Sequence, residues 1–291
     1  MSVTNPLGLF YVSDFVSDQE ASQFISKLYQ ATAAGKGSKM PSFGRAAEER
    51  LEWVQLRHRR LMNIGGNPTP THSGPKPASE PSSTDTTDAM IQLPIPSWVL
   101  EVAEPKLRQL PLPWPASLCG FTSRADTSDD SSPSATVFSD DFAINHVLIN
   151  EYRAPDGHIL PHEDGPTYEP LVAIVSLQST VPLVFHLKEE HRNAVDDDAS
   201  SLPSTVSVLL LPNSLVVFTG KFYTHYRHEV PKAEEDVVDP VTCLNYELVA
   251  SKLSLAEGEE GHSKMVSVRG NIRTSVTYRR VKNVVSRRTA K

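Results

Sequence analysis

The chain has 291 residues and a mass of 32.0 kDa, with 39% hydrophobic and 22% charged residues. That length buries a core without disulfide or metal staples and excludes a mini-protein or a fibrous repeat. The net charge of −7 is uneven, because residues 262–291 hold nine Lys/Arg and no Asp/Glu. A basic end on an acidic body suits either contact with a polyanion or a plain solvated end. Two cysteines, Cys119 and Cys243, are too few for a disulfide framework or a zinc cluster, which points to a reducing compartment. No apolar run approaches the roughly 18 residues of a membrane span, and Met1 to Leu28 lacks the basic-then-apolar order of a signal peptide. The expectation is a monomer of the cytoplasm or nucleus, not bound to a membrane.

Ser17 and Glu20 have the spacing of a capping box, and Phe24, Ile25 and Leu28 share one helical face, which predicts a helix from about Asp18 to Thr32. Gly65 to Met90 contains no aromatic, Val, Ile or Leu and is dense in Pro, Ser and Thr, so it reads as a disordered insertion. A second, shorter helix begins near Pro96 and Ser97 with Trp98, Val99 and Val102 inward, and Pro105 ends or kinks it. Thr122 to Asp141 and Lys188 to Thr205 read as acidic insertions between strands.

The second half carries short β-branched and apolar runs at His146 to Tyr152, Leu171 to Leu177, Val181 to Leu187, Val206 to Leu211 and Leu215 to Phe218, separated by turn residues. Many strands with few helices between them predict an antiparallel sandwich or barrel. A last strand from about Ile272 to Val281 places Arg273, Ser275, Thr277 and Arg279 on one face, because side chains alternate with period two.

In Pro161-His162-Glu163-Asp164-Gly165-Pro166 an imidazole and a carboxylate at i and i+2 can point the same way from an extended segment. His225 and His228 follow the Leu215 to Phe218 run, and either can be a third ligand. Two histidines and one carboxylate leave three octahedral positions open, the set used by non-haem Fe(II) oxygenases. A lone H-x-D is more often a surface turn; Arg273 and Arg279 add weight, since inward guanidinium groups in a barrel need an anion. A dicarboxylate co-substrate supplies one, and so does a protein carboxylate.

Asn145 to Tyr152, the string Ile159 to Pro166 with Tyr168, and the late Arg-x5-Arg together resemble the AlkB-type Fe(II)/2-oxoglutarate dioxygenases. The longer P-H-E-D-G-P-x-Y string, with Trp53 to Leu56 and Arg59 to Gly66 upstream, is most similar to the eukaryotic AlkB homologue group usually numbered six. The resemblance implies a mainly β double-stranded β-helix, the cupin-like jelly roll, with supporting N-terminal helices. The likeness runs from about Leu51 to Val281, and the chain is read as a single dioxygenase domain over residues 1–291, with 65–90 a disordered insertion and 282–291 a basic tail.

Position by position, the resemblance makes His162, Asp164 and His228 the Fe(II) ligands and catalytic centre, with His225 the competing distal ligand. Asn150 and Tyr152 match its N-x-Y, and Arg273, Ser275 and Arg279 its R-x5-R segment, all toward 2-oxoglutarate. Ser275 stands where the bacterial enzyme has asparagine, and His228-Glu229 where relatives often read H-G. The implied reaction couples O2 and 2-oxoglutarate to hydroxylation of a C–H bond, so that an N-methyl group leaves as formaldehyde. Alkylated bases of DNA or RNA are the expected substrate. A protein hydroxylase or demethylase, or a silent binding module, are the alternatives. Arg57, Arg59 and Arg60 read as a nucleic-acid contact or a solvated face, and Trp53 as core rather than base platform.

Overall fold

The apolar runs at Leu171 to Leu177 and Leu215 to Phe218 become strands buried on both faces, whereas Val181 to Leu187 alternates buried and half-buried positions. The structure is a computed structural model that describes residues 1–33, 51–68, 89–111, 138, 143–192, 202–257 and 263–286. Its strands, in chain order, are β1 (Ser2–Asn5), β2 (Leu9–Val12), β3 (Val54–Gln55), β4 (Arg60–Ile64), β5 (Met90–Gln92), β6 (His146–Arg153), β7 (Ile159–His162), β8 (Leu171–Leu177) and β9 (Val181–Leu187). They continue as β10 (Thr205–Leu210), β11 (Ser214–Thr219), β12 (Tyr226–Val230), β13 (Glu235–Val237), β14 (Ser254–Glu257), β15 (Ser263–Val268), β16 (Ile272–Arg279) and β17 (Val284–Ser286).

An eight-stranded sheet has the order β1-β2-β11-β8-β16-β6-β4-β3, and a four-stranded sheet the order β10-β9-β12-β7. Every neighbouring pair in both is antiparallel. The chain crosses between them from β6 to β7, β7 to β8, β8 to β9, β10 to β11 and β11 to β12, so two sheets wind into a double-stranded β-helix. The fold is mainly β, a jelly roll. Between the sheets lies a core that includes Leu183, Phe185, Val208, Val216 and Phe218.

The other face of the large sheet is covered by helices. In α1 (Asp18–Ala33) Phe24 and Leu28 are buried, and each contributes about 1.5–3 kcal/mol by leaving water. They pack in one cluster with Val147, Ile149, Val175, Val276 and Tyr278 of the sheet. The cap at Ser17 forms as its spacing predicts: Glu20 N donates to Ser17 Oγ at 3.2 Å, and Ser17 N donates to Glu20 Oε2 at 2.7 Å.

The second predicted helix is two short ones, α2 (Ser97–Glu101) and α3 (Glu104–Leu107). Pro105 lies in the first turn of α3, where its missing N–H is no loss, so it opens a helix as well as closing one.

Four boundaries move. Gly65, Gly66 and Met90, at the ends of the expected insertion, are buried, and β5 pairs in parallel with β17. Gly65 and Gly66 have φ of 95° and 128°, and a Cβ on either would strike a backbone carbonyl oxygen, so both positions need glycine. Because β17 belongs to this pair, residues 284–286 of the expected tail are a strand. Phe138, inside the expected Thr122 to Asp141 insertion, is fully buried in the cluster behind the large sheet, so that stretch does hold an apolar anchor. The rest of these stretches, 69–88, 122–137, 139–141 and 287–291, with 193–201, lies outside the described residues. The last strand ends at Arg279, and Val281 instead bridges to Tyr168.

Candidate active site

His162 is the last residue of β7, and Asp164 follows two residues later in the loop. In β12 Tyr226, His228 and Val230 are buried while Arg227 and Glu229 face outward, the alternation of a half-covered strand. The register sets His228 directly opposite His162, with ring centroids 4.3 Å apart. One ligand atom each from His162, Asp164 and His228 lie within 4.8 Å of one another. His225 precedes β12, stacks on His191 at 3.9 Å and has Nδ1 2.7 Å from Thr224 Oγ1. The structure therefore brings His228, and not His225, to the H-x-D pair. Glu229, in the place of a glycine, lies on the outward face of β12 with its carboxylate 2.7 Å from His186 Nε2, and leaves the inward register alone.

The three groups suit a cation. His162 Nδ1 lies 2.9 Å from Leu160 O, a carbonyl that only accepts, so Nδ1 carries the proton and Nε2 keeps its lone pair. Asp164 Oδ2 is buried and has no hydrogen-bond partner among the described residues. Burial holds the His228 imidazole down to about 4, against the pull of Asp164, so it is neutral and able to coordinate. For Asp164 burial raises the pKa, but the charge of Arg279 above all offsets it and leaves the carboxyl below its usual range. Phe218 and Phe185 lie 5.0 and 6.0 Å from the His228 ring and keep that side dry.

The predicted co-substrate residues share the inner face of the β6–β16 pair: Arg273 opposite Tyr152, Ser275 opposite Asn150, and Arg279 opposite His146. Both arginines are buried, at 5% and 4% exposure. Arg279 Nη1 meets Asp164 Oδ1 at 2.6 Å and lies 4.0 Å over the Tyr168 ring. Arg273 has no carboxylate among the described residues; its Nε donates to Ser176 Oγ at 3.1 Å and it lies 5.2 Å over the Tyr152 ring. Burial accordingly lowers its pKa. A buried guanidinium without an anion is costly, and one end of a dicarboxylate answers it.

Of the upstream arginines, Arg60 is a structural residue, paired with the buried Glu151 at 2.6 Å. Arg59 Nε donates to Asn150 Oδ1 at 3.1 Å, while Arg57 is exposed. Trp53 packs against the core behind the large sheet, under Arg60 at 4.2 Å. His146 and Ser176 went unnoticed as site neighbours because only strand register brings them here, and Arg59, read as a nucleic-acid contact or a solvated face, instead reaches Asn150. His146 is fully buried, neither ring nitrogen has a partner among the described residues, and burial and then Arg279 hold it down to about 3.

The profile of the 2OG-Fe(II) oxygenase superfamily matches residues 8–279. The chain is similar to the protein named "Probable RNA/DNA demethylase ALKBH6" of Danio rerio, 26% identical over 233 residues, which is 80% of this chain and 73% of that one. Among solved structures, OsALKBH1 is 16% identical with a TM-score of 0.46, over 96% of this chain and 100% of that one. A Pseudomonas putida prolyl-4-hydroxylase is 11% identical with a TM-score of 0.38, over 95% and 94%. With the profile spanning nearly the whole fold and a His-Asp-His cluster at its centre, the chain belongs to the 2OG-Fe(II) oxygenase superfamily, as an AlkB-type dioxygenase that uses Fe(II) and 2-oxoglutarate.

Proposed function

We propose that this enzyme oxidatively demethylates alkylated bases in nucleic acid, with His162, Asp164 and His228 holding the iron. The observation that carries the assignment of ligands is the convergence of these three side chains across β7 and β12. Support for the substrate class comes from the Danio rerio relative, whose name gives RNA or DNA. Bound Fe(II) supplies the activation of O2 that couples oxidation of 2-oxoglutarate to succinate and CO2 with insertion of the other oxygen atom into a C–H bond.

The chain's own residues do the rest. Arg279 keeps Asp164 ionised and oriented through its 2.6 Å contact. Arg273 receives the far carboxylate of 2-oxoglutarate, with Asn150, Tyr152 and Ser275 beside it on the same face. The apolar packing around His228 excludes water from the reacting centre. The proposal treats residues 1–291 as one catalytic domain acting in the cytoplasm or nucleus.

The test is a panel of N-methylated DNA and RNA oligonucleotides set against methylated peptides, with succinate and formaldehyde measured together. Formaldehyde released in step with succinate on an oligonucleotide supports the proposal. Coupled turnover on peptides alone would replace it with a protein demethylase.

A further inference from the structure

Arg59 and Arg60 grip the Asn150-Glu151-Tyr152 segment from opposite faces. The β4–β6 register pairs Leu61 with Asn150 on the inner face and Arg60 with Glu151 on the helix side. Arg60 meets the Glu151 carboxylate, where Tyr29 and Arg153 also bind, at 2.6 and 2.7 Å. Arg59 closes the β3–β4 turn, its carbonyl accepting from Leu56 N at 2.9 Å, and sends Nε to Asn150 Oδ1.

The two contacts differ in kind. Arg60 has a carboxylate partner, whereas Arg59 pairs with none among the described residues and bonds instead to a neutral amide. A guanidinium has donors only, so the amide must turn its oxygen to Arg59, and Nδ2 with its two N–H donors is left for another partner. Directly across the pair stands Ser275, one row from Arg273. Donors at this place suit an anionic co-substrate; an amide turned the other way would present an oxygen to it.

We propose that Arg59 is a positioning residue for the dicarboxylate: it fixes the Asn150 amide with its donors toward the bound anion and so ties co-substrate binding to the β3–β4 hairpin. This rests on the reading of Asn150 as a co-substrate contact.

The experiment measures 2-oxoglutarate affinity by calorimetry on the Mn(II)-loaded, full-length protein, with no turnover involved. Arg59→Met, which keeps the packing of the stem, should weaken binding about five- to tenfold, the size of one oriented hydrogen bond to a charged ligand, and leave Mn(II) affinity unchanged. Asn150→Ala should lose at least as much, and the double variant no more than Asn150→Ala alone, because Arg59 acts through that amide. Arg59→Lys, which still donates to Oδ1, should recover part of the loss. Arg60→Met should lower the melting temperature without the loss of affinity.

Wild-type affinity in Arg59→Met, or losses that multiply in the double variant, would overturn the proposal. If Asn150→Ala and Arg273→Met both bind as wild type, the co-substrate reading itself falls, and Arg59 with it. If those two lose affinity and Arg59→Met does not, only the role of Arg59 falls.

Discussion

Arg273 and Arg279 share a strand, a face, near-complete burial and a neighbouring tyrosine ring, yet among the described residues only Arg279 meets a carboxylate. Arg279 spends its charge on Asp164, 2.6 Å away. Arg273, six residues earlier, has a serine hydroxyl and an aromatic face. The first is therefore part of the apparatus that orients the His162-Asp164-His228 cluster. The second has no carboxylate beside it among the described residues, and a ligand bound there would bring the negative charge.

The sharpest break in this comparison is Asp164→Ala, which removes both the counter-charge of Arg279 and one member of the His-Asp-His cluster. Metal binding and succinate formation should fall to background, and denaturant unfolding of the metal-free protein should lose about 3–5 kcal/mol, the cost of stranding one partner of a buried ion pair. Next come the two arginines, each replaced by Met to keep the stem. Arg279→Met strands Asp164 and should cost about 3 kcal/mol in the metal-free protein. Arg273→Met removes an uncompensated buried charge, so it should leave that stability unchanged or higher while weakening 2-oxoglutarate about 100-fold. Equal destabilisation by both replacements would erase the distinction between the two ends.

Protonation sharpens it further. His228, in the His-Asp-His cluster, and His146, opposite Arg279, are held by burial down to about 4 and about 3, whereas in the unfolded chain both return to about 6.5. Between those values the unfolded state binds more protons, so the metal-free fold has its full stability above pH of about 6.5 and loses it as pH falls toward 4. Unfolding free energies at pH 7 and pH 5 should differ in that direction, and His146→Phe should flatten the slope. A slope unchanged in that variant would mean that His146 is not held neutral.

The smallest effect belongs to the helix that backs the sheet. Lys106, and then Ser17, hold the Glu20 carboxyl down to about 2, so its contribution is present above pH of about 4.5 and fades as pH falls from there toward 2. Glu20 is partly exposed, and Glu20→Gln should cost only about 0.5–1 kcal/mol at neutral pH in a denaturant melt and nothing near pH 2.

What could be read from the chain divides along the same physical lines. β8 and β9 have the predicted bounds, and β6, β10, β11 and β16 fall within two residues of them: β8 and β11, buried on both faces, are largely apolar throughout, β9 alternates buried and half-buried positions, and β16 is legible by its period of two. β7 and β12 escaped notice: one contains Pro161, and the other puts Arg227 and Glu229 on its outer face, so neither shows an apolar run. Yet these two strands bring His162 and His228 together. The H-x-D pair was legible as a local spacing; the choice of His228 over His225 came from resemblance, and its geometric reason is a register that spans 66 residues. Phe138 is the plainest miss, a single aromatic in an acidic stretch whose burial only the tertiary fold decides.

Everything above hangs on which three side chains hold the iron. Anaerobic addition of Fe(II) and 2-oxoglutarate to the full chain, followed through the weak visible charge-transfer band, tests that directly. The band should form in the wild type and in His225→Ala and be absent in His162→Ala and His228→Ala. Its persistence in His228→Ala together with its loss in His225→Ala would contradict the account.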